Sequence, residues 1–384
     1  MRDLVVAGGG PVGLATALLA ARAGLDVEVR EPRRGVIDKA CGEGLMPDSL
    51  LQLERLGVSL SPSDGAAFHG IRFAGEDATA TAHFSAGAGI GLRRQALHTQ
   101  LVARAQDAGV ALRWQTPVFL RVDGRAQIAG ETQRYGWLVG ADGQGSQVRR
   151  RARLERGRLI SWRFGFRQHY QVEPWSPYIE VHWGERGQAY VTPTGPNEVC
   201  VATVTRDPQC RLPVLLDELP DLRAKLSRPQ VTVTDHERGA LTTTRRFNCV
   251  ARGRVALVGD ASGSADAITG EGMGLAFRQA LLLAECLERG DLARYNRKHS
   301  ETLCLPQAMA RVLLSMDRWK AVRRRALGML AREPELFTHM LGVHLGAESL
   351  LHFVSTKGLK VAWGLTIGSS DEPSLPGGQA IQEN

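Results

Sequence analysis

Short apolar runs separated by glycines mark the beginning of the chain. Residues 4–7 are uninterrupted apolar residues, the pattern of a strand buried on both faces of a parallel sheet. A glycine cluster follows, and an alanine- and leucine-rich stretch then runs to about Ala23, where Gly24 stands at a position that often ends a helix. A second strand is expected at residues 26–30, directly before Glu31. The pattern predicts a strand–helix–strand unit.

The same order of strand, polar turn and helix occurs twice more. Residues 135–152, YGWLVGADGQGSQVRRRA, predict an apolar strand, an Asp-Gly turn at residues 142–143 and a helix. Residues 254–287 predict a strand and a Gly-Asp turn at residues 259–260, and the glycine-rich residues 270–274 then precede a helix. Glycines at such turns indicate that backbone passes close to another group.

The rest of the chain divides by its periodicity. Between residues 156 and 244, polar and apolar positions alternate between turn residues, which predicts a β-sheet. Residues 291–367 carry apolar stripes interleaved with arginines and are predicted to be helical. Residues 368–384 are polar and are predicted to be a disordered tail.

The first glycine cluster has the spacing of a dinucleotide-binding turn, G-x-G-x-x-G. Gly8 allows a tight turn, Gly10 lets backbone approach a pyrophosphate, and Gly13 lets helix and strand pack closely. The N–H groups at the helix start favour phosphates. Glu31 stands where an acid accepts hydrogen bonds from a ribose, in NAD or in the adenosine half of FAD. The residues predicted to bind here are Gly8, Gly10, Pro11, Val12, Gly13 and Glu31.

Composition and charge limit the classes of partner that the protein is predicted to bind. The 384 residues carry a net charge of +8, with arginine clusters at residues 149–151 and 323–325. We interpret these as solvated surface and predict no nucleic-acid binding, because no aromatic-plus-basic pattern accompanies them. The six cysteines have neither disulfide nor zinc spacing, which predicts a cytoplasmic protein without a metal site. No apolar run is long enough to span a membrane. The C-terminal helices are expected to pack on the nucleotide-binding domain, with peripheral membrane contact or a lid over an apolar substrate as the alternatives.

The three segments together, in this order and spacing, resemble the FAD-binding core of the group A flavoprotein monooxygenases and the geranylgeranyl reductase group. The resemblance covers most of residues 1–290. It implies that FAD is the cofactor, that Asp260 binds the ribityl hydroxyls, and that Arg94 contacts FAD with Arg93 as the neighbouring candidate. The further cofactor-binding residues that it implies are Asp142, Gly143, Gly270, Gly272, Met273 and Gly274.

No second G-x-G-x-x-G follows a strand, so a separate domain for NAD(P)H is not predicted. The families resembled here also lack one. They reduce FAD with NAD(P)H bound at a transient site, or through a partner protein. We therefore expect NAD(P)H to act as a transient reductant.

Several segments help to distinguish a resemblance to the geranylgeranyl reductases from a resemblance to the aromatic hydroxylases. DKACGEGLMP, residues 38–47, resembles the Cys-Gly-rich segment of the geranylgeranyl reductases, and so does DAITGEGMG. Asp266 and Ala267 stand where the aromatic hydroxylases typically have a proline pair. The region around Pro193 keeps that proline but lacks the aromatic signature of the prenyl reductases. The halogenases' WxWxIP motif is also missing from the sequence.

The catalytic candidates are Cys41, Glu43 and Pro193. Cys41 is either a thiol beside the flavin or a small residue that packs a tight loop. Glu43 is either an active-site acid or a cap for the helix that begins near Pro47. His169 and His182 are possible acid–base groups on strands. Eight aromatic residues of this region could line an apolar pocket or form ordinary sheet core: Trp162, Phe164, Phe166, Tyr170, Trp175, Tyr178, Trp183 and Tyr190.

These patterns predict an α/β fold: a Rossmann-type FAD-binding domain with an inserted mixed β-sheet substrate domain and a helical C-terminal region. The FAD-binding domain comprises residues 1–155 and 245–290 and can include part of the sheet; the sheet region comprises residues 156–244 and the helical region residues 291–367. We predict an NAD(P)H-driven, FAD-dependent monooxygenase of secondary metabolism that acts on an apolar or aromatic small molecule. The alternative is a geranylgeranyl-reductase-like enzyme that saturates isoprenoid double bonds. The motifs leave the oligomeric state open.

Overall fold

The computed structural model describes residues 2–120, 126–128 and 131–367, so the predicted tail at residues 368–384 lies outside the described residues. The strands are β1 (Arg2–Ala7), β2 (Val27–Glu31), β3 (Gly44–Leu45), β4 (Ala66–Phe68), β5 (Gly70–Ala74), β6 (Thr79–His83), β7 (Gly89–Gly91), β8 (Ala111–Trp114), β9 (Val118–Leu120), β10 (Ala126–Ile128), β11 (Glu131–Gln133), β12 (Tyr135–Gly140), β13 (Gly157–Gln171), β14 (Ile179–Trp183), β15 (Gly187–Gly195), β16 (Glu198–Thr205), β17 (Thr232–Val233), β18 (Arg238–Phe247), β19 (Ala251–Arg252), β20 (Val255–Leu257) and β21 (Gly263–Ser264). The helices are α1 (Pro11–Arg22), α2 (Pro47–Arg55), α3 (Arg94–Asp107), α4 (Gln147–Arg151), α5 (Leu212–Leu216), α6 (Pro220–Leu226), α7 (Gly272–Glu288), α8 (Leu292–Arg318), α9 (Lys320–Arg332), α10 (Pro334–His344) and α11 (Leu350–Ile367). Short 3-10 turns lie at Gly259–Ala261 and Ala267–Thr269.

The four strands predicted for the glycine-containing segments pair in one sheet. Its order is β19-β20-β12-β1-β2-β8, and every pair except β19 with β20 is parallel. Leu4 of β1 lies opposite Trp137 of β12 and Val27 of β2. Helices cover the sheet, with α1 packed against both α3 and α7, and this burial explains the uninterrupted apolar runs. The predicted Rossmann-type unit is confirmed.

A second, larger sheet follows in the chain and is mixed, as predicted. Its order is β21-β18-β13-β16-β15-β14-β5-β6, with β17 paired to β13, and β14 with β5 is its one parallel pair among the described strands. Strands β5 and β6 come from residues 70–83, well before the predicted sheet region. Two small sheets, β3-β7-β4 and β9-β10-β11, complete the described strands.

The C-terminal region is helical, but only part of it packs where expected. Helix α8 contacts α7 and β19 of the FAD-binding domain, whereas α9 and α10 pack on β6 of the mixed sheet. Apolar residues from both sides meet there, including Phe73, Trp183, Leu327 and Phe337. The sheet's apolar face would otherwise be exposed to water, and burial of that face gives these helices their position. Within the described ranges, no helix is both long and apolar enough to cross a membrane.

Two other expectations were wrong in detail. Helices α5 and α6 lie between the predicted strands and bury leucines such as Leu215 and Leu222 against β15 and β16. Within the predicted sheet region, the alternating residues QVTVTDH (230–236) also predict a strand, but only the exposed pair Thr232–Val233 forms one. The reason for the second difference is that Asp235 turns its carboxylate inward, where it accepts a hydrogen bond from the backbone N–H of His169.

Candidate active site

The segments singled out in the sequence meet at one edge of the parallel sheet. Strands β20, β12, β1 and β2 are parallel neighbours, so their carboxyl ends share that edge. Gly8 follows β1, Asp142 follows β12, Asp260 follows β20, and β2 ends at Glu31. Ligands of open α/β sheets bind outside the carboxyl ends of the strands. The sheet therefore assembles one candidate cofactor site from four distant parts of the chain.

The glycine turn leaves no room for side chains at two positions and leaves space at a third. A Cβ built on Gly8, whose φ is +114°, would lie 2.4 Å from the carbonyl oxygen of Ala141, and one on Gly13 would lie 2.0 Å from the carbonyl oxygen of Gly8. A Cβ on Gly10 would meet no atom within 4 Å. Helix α1 begins at Pro11, and no side chain caps it. The free space and the uncapped N–H groups fit a bound pyrophosphate.

Glu31 and an unpredicted histidine hold this turn. The buried Glu31 carboxylate accepts hydrogen bonds from the backbone N–H groups of Gly9 (2.9 Å) and Arg33 (3.0 Å). Nε2 of His98, on α3, lies 2.7 Å from the carbonyl oxygen of Gly9 and donates to it. Burial lowers the pKa of His98, which keeps the ring neutral. His98 stands four residues after Arg94, and this helical spacing is the sequence signal that could have revealed it.

The two adjacent arginines have different surroundings. The guanidinium of Arg93 donates to Glu198 and to Thr234 Oγ1 (3.0 Å). Burial opposes ionisation of Glu198, but the hydrogen bonds from Arg93 and Thr194 and the nearby positive charge of Arg93 together lower the pKa of Glu198. Nε of Arg94 is buried and has no hydrogen-bond partner within the described residues. This geometry supports Arg94, and not Arg93, as the cofactor-binding arginine.

The start of α7 forms the other side of the site. Gly270 has a φ of +69° and closes the 3-10 turn before the helix, and Cβ atoms on Gly270 and Gly272 would meet no backbone atom within 4 Å. Like α1, helix α7 has no capping side chain. Gly274 packs against Ser49 of α2, and Met273 packs against the core of the FAD-binding domain. Uncapped N–H groups at this end suit a partly negative ligand.

Asp260 and Asp142 differ in how free their carboxylates are. Asp260 is partly exposed, and its Oδ2 lies 3.2 Å from Nζ of Lys39. The Asp142 carboxylate caps α4, where it accepts from Ser146 Oγ (2.5 Å) and from the backbone N–H of Gln147 (2.7 Å). Gly143 has a φ of +75°, a conformation that glycine adopts without strain. The geometry thus supports a ligand contact for Asp260 and a helix-capping role for Asp142.

These features fit FAD. The space over Gly10, the unpartnered Nε of Arg94 and two uncapped helix starts are what an elongated anionic dinucleotide would complete. The buried Glu31 lies at the end of β2, where a ribose would be bound. Which atoms each residue would contact stays a prediction.

An apolar pocket adjoins the part of this site where the flavin is predicted to lie. About 950 Å³ of space, including its opening to solvent, lies between the mixed sheet and helices α8, α9 and α10. Gly42, Gly44 and Gly270 belong both to its wall and to the segments predicted to approach the flavin. Its lining includes Trp183, Tyr190, Thr192 and His344. The pocket is suited to an apolar ligand beside the flavin.

Only part of the predicted aromatic set lines this pocket. Trp183 and Tyr190 do, and the hydroxyl of Tyr190 donates to the carbonyl oxygen of Ile268 at 3.0 Å. Trp162 lies elsewhere and is 58% exposed. The C-terminal helices α8, α9 and α10 supply the rest of one side of the lining, and a lid over an apolar substrate was one of the alternatives for this segment.

Glu43 lies at the centre of a buried charged cluster. Its Oε1 accepts from the backbone N–H of Arg94 (3.1 Å), and its Oε2 lies 2.6 Å from Nε2 of His169. Its own φ of +59° is unusual for a residue other than glycine. The suggested capping of the helix near Pro47 is wrong, because Glu43 binds the first N–H of α3 and no side chain caps α2. Contact of Glu43 with substrate stays a prediction.

His169 joins Glu43 to two further charged residues. Its Nδ1 lies 2.8 Å from Oδ2 of Asp235, and the Arg167 guanidinium contacts Asp235 and Asp38. Burial lowers the pKa of His169, but the Glu43 and Asp235 carboxylates outweigh burial and raise it overall. Cys200 brings its thiol near Glu43 and His169, but Arg167 lies 3.8 Å from Glu43 and would repel a metal ion there. The cluster is therefore best described as an ion-pair network.

The remaining candidates have structural contacts. The Cys41 sulfur accepts from the backbone N–H of Glu43 at 3.4 Å, which fits the packing interpretation. Pro193 is buried in β15, and Thr192 lines the pocket in its place. His182 pairs with Glu180 at 3.1 Å. None of these contacts assigns a catalytic role.

An ion triad supports the turn where the aromatic hydroxylases have prolines. Asp266 accepts from the backbone N–H of Ile268 at 3.1 Å, and its Oδ1 lies 3.2 Å from Nε of Arg163. Arg163 also donates to Asp317 of α8 at 2.7 Å. All three charged side chains are buried. The triad therefore ties the segment before Gly270 to a helix that lines the pocket.

Comparison with known proteins agrees with this geometry. A menaquinone reductase of Mycolicibacterium smegmatis is 27% identical over 331 residues, which are 77% of this chain and 78% of that protein. A dialkyldecalin synthase of Streptomyces rugosporus is 28% identical over 309 residues, 73% of this chain and 64% of that protein. The crystal structure of a p-nitrophenol 4-monooxygenase from Pseudomonas putida superposes with a TM-score of 0.74 at 22% identity, covering 90% of this chain and 97% of that one. The structural likeness shows the shared fold.

A family assignment follows from the sequence itself. The sequence model of the family described as FAD binding domain matches residues 1–290, well over half of the chain. The match spans all three motif segments and confirms FAD as the predicted cofactor. The chain belongs to the FAD binding domain family and is an FAD-dependent oxidoreductase.

Proposed function

We propose that this protein is an NAD(P)H-driven monooxygenase that hydroxylates an apolar or aromatic small molecule of secondary metabolism. The observation that carries the proposal is the apolar pocket whose wall includes Gly42, Gly44 and Gly270, the backbone segments predicted to approach the flavin. A substrate in this pocket would lie beside the flavin and away from bulk water. The balance is that of a monooxygenase: one oxygen atom of dioxygen enters the product, the other leaves as water, and NAD(P)H supplies the electron pair.

The residues of the chain have distinct roles in this proposal. When bound and reduced, FAD supplies the electrons that activate dioxygen. Gly10, the α1 N-terminus and Arg94 hold the pyrophosphate, and Glu31 holds a ribose. The N–H groups at the start of α7 favour negative charge on the ring. The apolar wall excludes water, which protects a reactive oxygen species from unproductive decay.

A second candidate is an alkene reductase for an isoprenoid or quinone. Its support is the 27% identity with a menaquinone reductase over 77% of this chain, together with the Cys-Gly segment at residues 38–47. The lining of the pocket is apolar, which suits an isoprenoid side chain. The two candidates differ in one respect: hydroxylation consumes dioxygen, whereas alkene reduction does not.

The test is a pair of single-turnover reactions. The FAD-loaded protein is reduced without oxygen and mixed with para-octylphenol or with menaquinone, each with and without dioxygen that carries the heavy oxygen isotope. Mass spectrometry of the products measures added oxygen and added hydrogen. We expect labelled oxygen in the phenol product, and only when dioxygen is present.

Each outcome decides between the candidates. Saturated menaquinone formed without oxygen would favour the reductase and overturn the monooxygenase. Flavin reoxidation with both probes unchanged would contradict both substrate classes. Free FAD, reduced in the same way without protein, is the control for uncatalysed oxidation of the probes.

A further inference from the structure

One histidine stands in the otherwise apolar pocket wall. His344 is the last residue of α10, and its side chain is 7% exposed. Among the described lining residues, the other ionisable side chain is Tyr190, whose hydroxyl already donates to Ile268. Burial raises the pKa of Tyr190, which keeps that phenol protonated. His344 is thus the group in the wall that can exchange a proton with a ligand.

The surroundings of His344 contain polar atoms without partners. Nδ1 of His344 and Oε1 of Glu271 are buried, and neither has a hydrogen-bond partner within the described part of the chain. Nε2 of His344 lies 4.0 Å from Oε2 of Glu271, beyond hydrogen-bonding distance. Buried polar groups of native proteins are almost always paired, and unpaired ones often mark a functional site. These atoms point to a ligand that carries a polar group into the pocket.

The charges around His344 are partly balanced. Glu271 precedes α7 and lies 3.3 Å from Arg278, which also donates to Asp48 of α2 at 2.5 Å. Burial raises the pKa of Asp48, with Arg278 opposing this rise and Glu271 adding to it. On the C-terminal side of the pocket, His339 and Glu348 pair with each other at 3.0 Å. Two carboxylates that share one guanidinium therefore lie near His344.

We propose that His344 is the catalytic base of the pocket, and that the substrate is an apolar molecule with a phenolic hydroxyl. This inference rests on the proposed monooxygenase function. The neutral imidazole accepts the hydroxyl proton; the O–H bond breaks, and its electron pair stays on the phenolate oxygen. The resulting electron-rich ring is the better target for oxygen transfer. The proton returns to an oxygen of the hydroxylated product, so the step consumes no net acid.

Glu271 acts as a positioning residue for this step. Its carboxylate stabilises the imidazolium through charge, because it lies 4.0 Å away in a site sheltered from water. It also stands between Gly270 and Gly272 at the start of α7, in the segment predicted to contact the flavin. Glu271 thus lies between the proposed base and the segment predicted to bind the flavin.

The test follows ionisation of a bound probe and needs no turnover. FAD-loaded protein is titrated with para-nitrophenol, whose phenolate absorbs visible light, below the pH at which the free probe ionises. Titration with para-nitroanisole, which has no ionisable proton, provides the spectral change that binding alone causes in the flavin. We expect bound para-nitrophenol to be largely ionised in the wild-type protein and largely protonated in His344→Gln and His344→Met. Turnover of an accepted phenol should fall about 100-fold or more in both variants, as for a lost general base.

Matched variants make the result specific. His339→Gln changes a partly exposed histidine of the same helix that does not line the pocket, and it should ionise the probe like the wild type. Glu271→Gln should give intermediate ionisation. Flavin content and the thermal midpoint are measured first for each variant, and the Gln and Met replacements of His344 provide two chances of a folded protein.

The outcomes separate the two proposals. If both probes bind the wild type but the His344 variants ionise para-nitrophenol equally well, the base assignment is wrong and the monooxygenase proposal stands. If neither probe binds the wild type, the aromatic substrate class fails and the base assignment fails with it.

Discussion

At the scale of the residue, two adjacent arginines in this site differ in their hydrogen-bond partners. Arg93 is held by Glu198 and Thr234, whereas Nε of its neighbour Arg94 is buried without a described partner. The cost of burying a polar atom without a partner is about 1 to 3 kcal/mol, so a cofactor that supplies the partner gains affinity. The sequence named both arginines, and their environments distinguish them.

Replacement of Arg94 should therefore weaken FAD binding. We expect Arg94→Met to raise the dissociation constant of FAD about 10- to 100-fold, as for a lost hydrogen bond to a charged group. The measurement is quenching of FAD fluorescence on titration with the apoprotein. Arg93→Met is the matched control and should bind FAD like the wild type. Equal weakening in the two variants would contradict the assignment of Arg94.

At the scale of the element, two glycines at the start of α1 serve different purposes. Gly13 lets the first turn of α1 pack on the loop after β1, since a Cβ there would lie 2.0 Å from the Gly8 carbonyl oxygen. Gly10, with a φ of −70°, is in a conformation that any residue adopts and has open space before it. One glycine is required by packing, and the other is expected to be required by the cofactor.

Alanine variants of the two glycines distinguish a role in packing from a role in cofactor binding. We expect Gly10→Ala to fold with the thermal midpoint of the wild-type apoprotein but to bind FAD at least tenfold more weakly, because the methyl group occupies the ligand's space. Gly13→Ala should instead lower the thermal midpoint of the apoprotein itself. Differential scanning fluorimetry, with and without added FAD, measures both. A wild-type FAD affinity in Gly10→Ala would show that the pyrophosphate does not lie over this residue.

At the scale of the whole molecule, the C-terminal helices connect the cofactor site to the rest of the fold. Nε2 of His299, on α8, lies 2.8 Å from Oγ of Ser262, directly after the Gly259–Ala261 turn. Burial lowers the pKa of His299 from the usual 6.5 to about 4. The ring is therefore neutral in the folded protein at pH values where the unfolded chain already binds a proton.

This difference predicts how stability depends on pH. Between pH 6.5 and about 4 the unfolded state binds the extra proton, so stability falls as the pH falls, by at most about 3 kcal/mol over that range. In His299→Gln this part of the pH dependence should disappear. Thermal midpoints from pH 7 to about pH 4 measure it. His352→Gln, which changes an exposed histidine of α11, should keep the wild-type slope. An unchanged slope in His299→Gln would overturn the prediction.

Much of the fold could be predicted from local pattern. The parallel strands, α1 and α7, and the mixed sheet were predicted because their periodicity and glycine positions are properties of short segments. Residues 230–236 were misjudged because alternation alone does not reveal that Asp235 is drawn inward by His169. Helices α5 and α6 were missed because their leucines are buried against strands that are adjacent only after folding.

The sequence by itself determined the FAD-binding family, the glycine turn with Glu31, and the order of the three cofactor segments. These depend on backbone conformation and spacing within each segment, which are encoded locally. Only the tertiary structure decided that Arg94 and not Arg93 has a buried nitrogen without a partner among the described residues, that Glu43 joins a charged network with His169, and that the C-terminal helices close an apolar pocket around His344. The reason is physical: a side chain's burial and partners depend on which distant elements pack around it, and the residue pattern along the chain does not specify that packing.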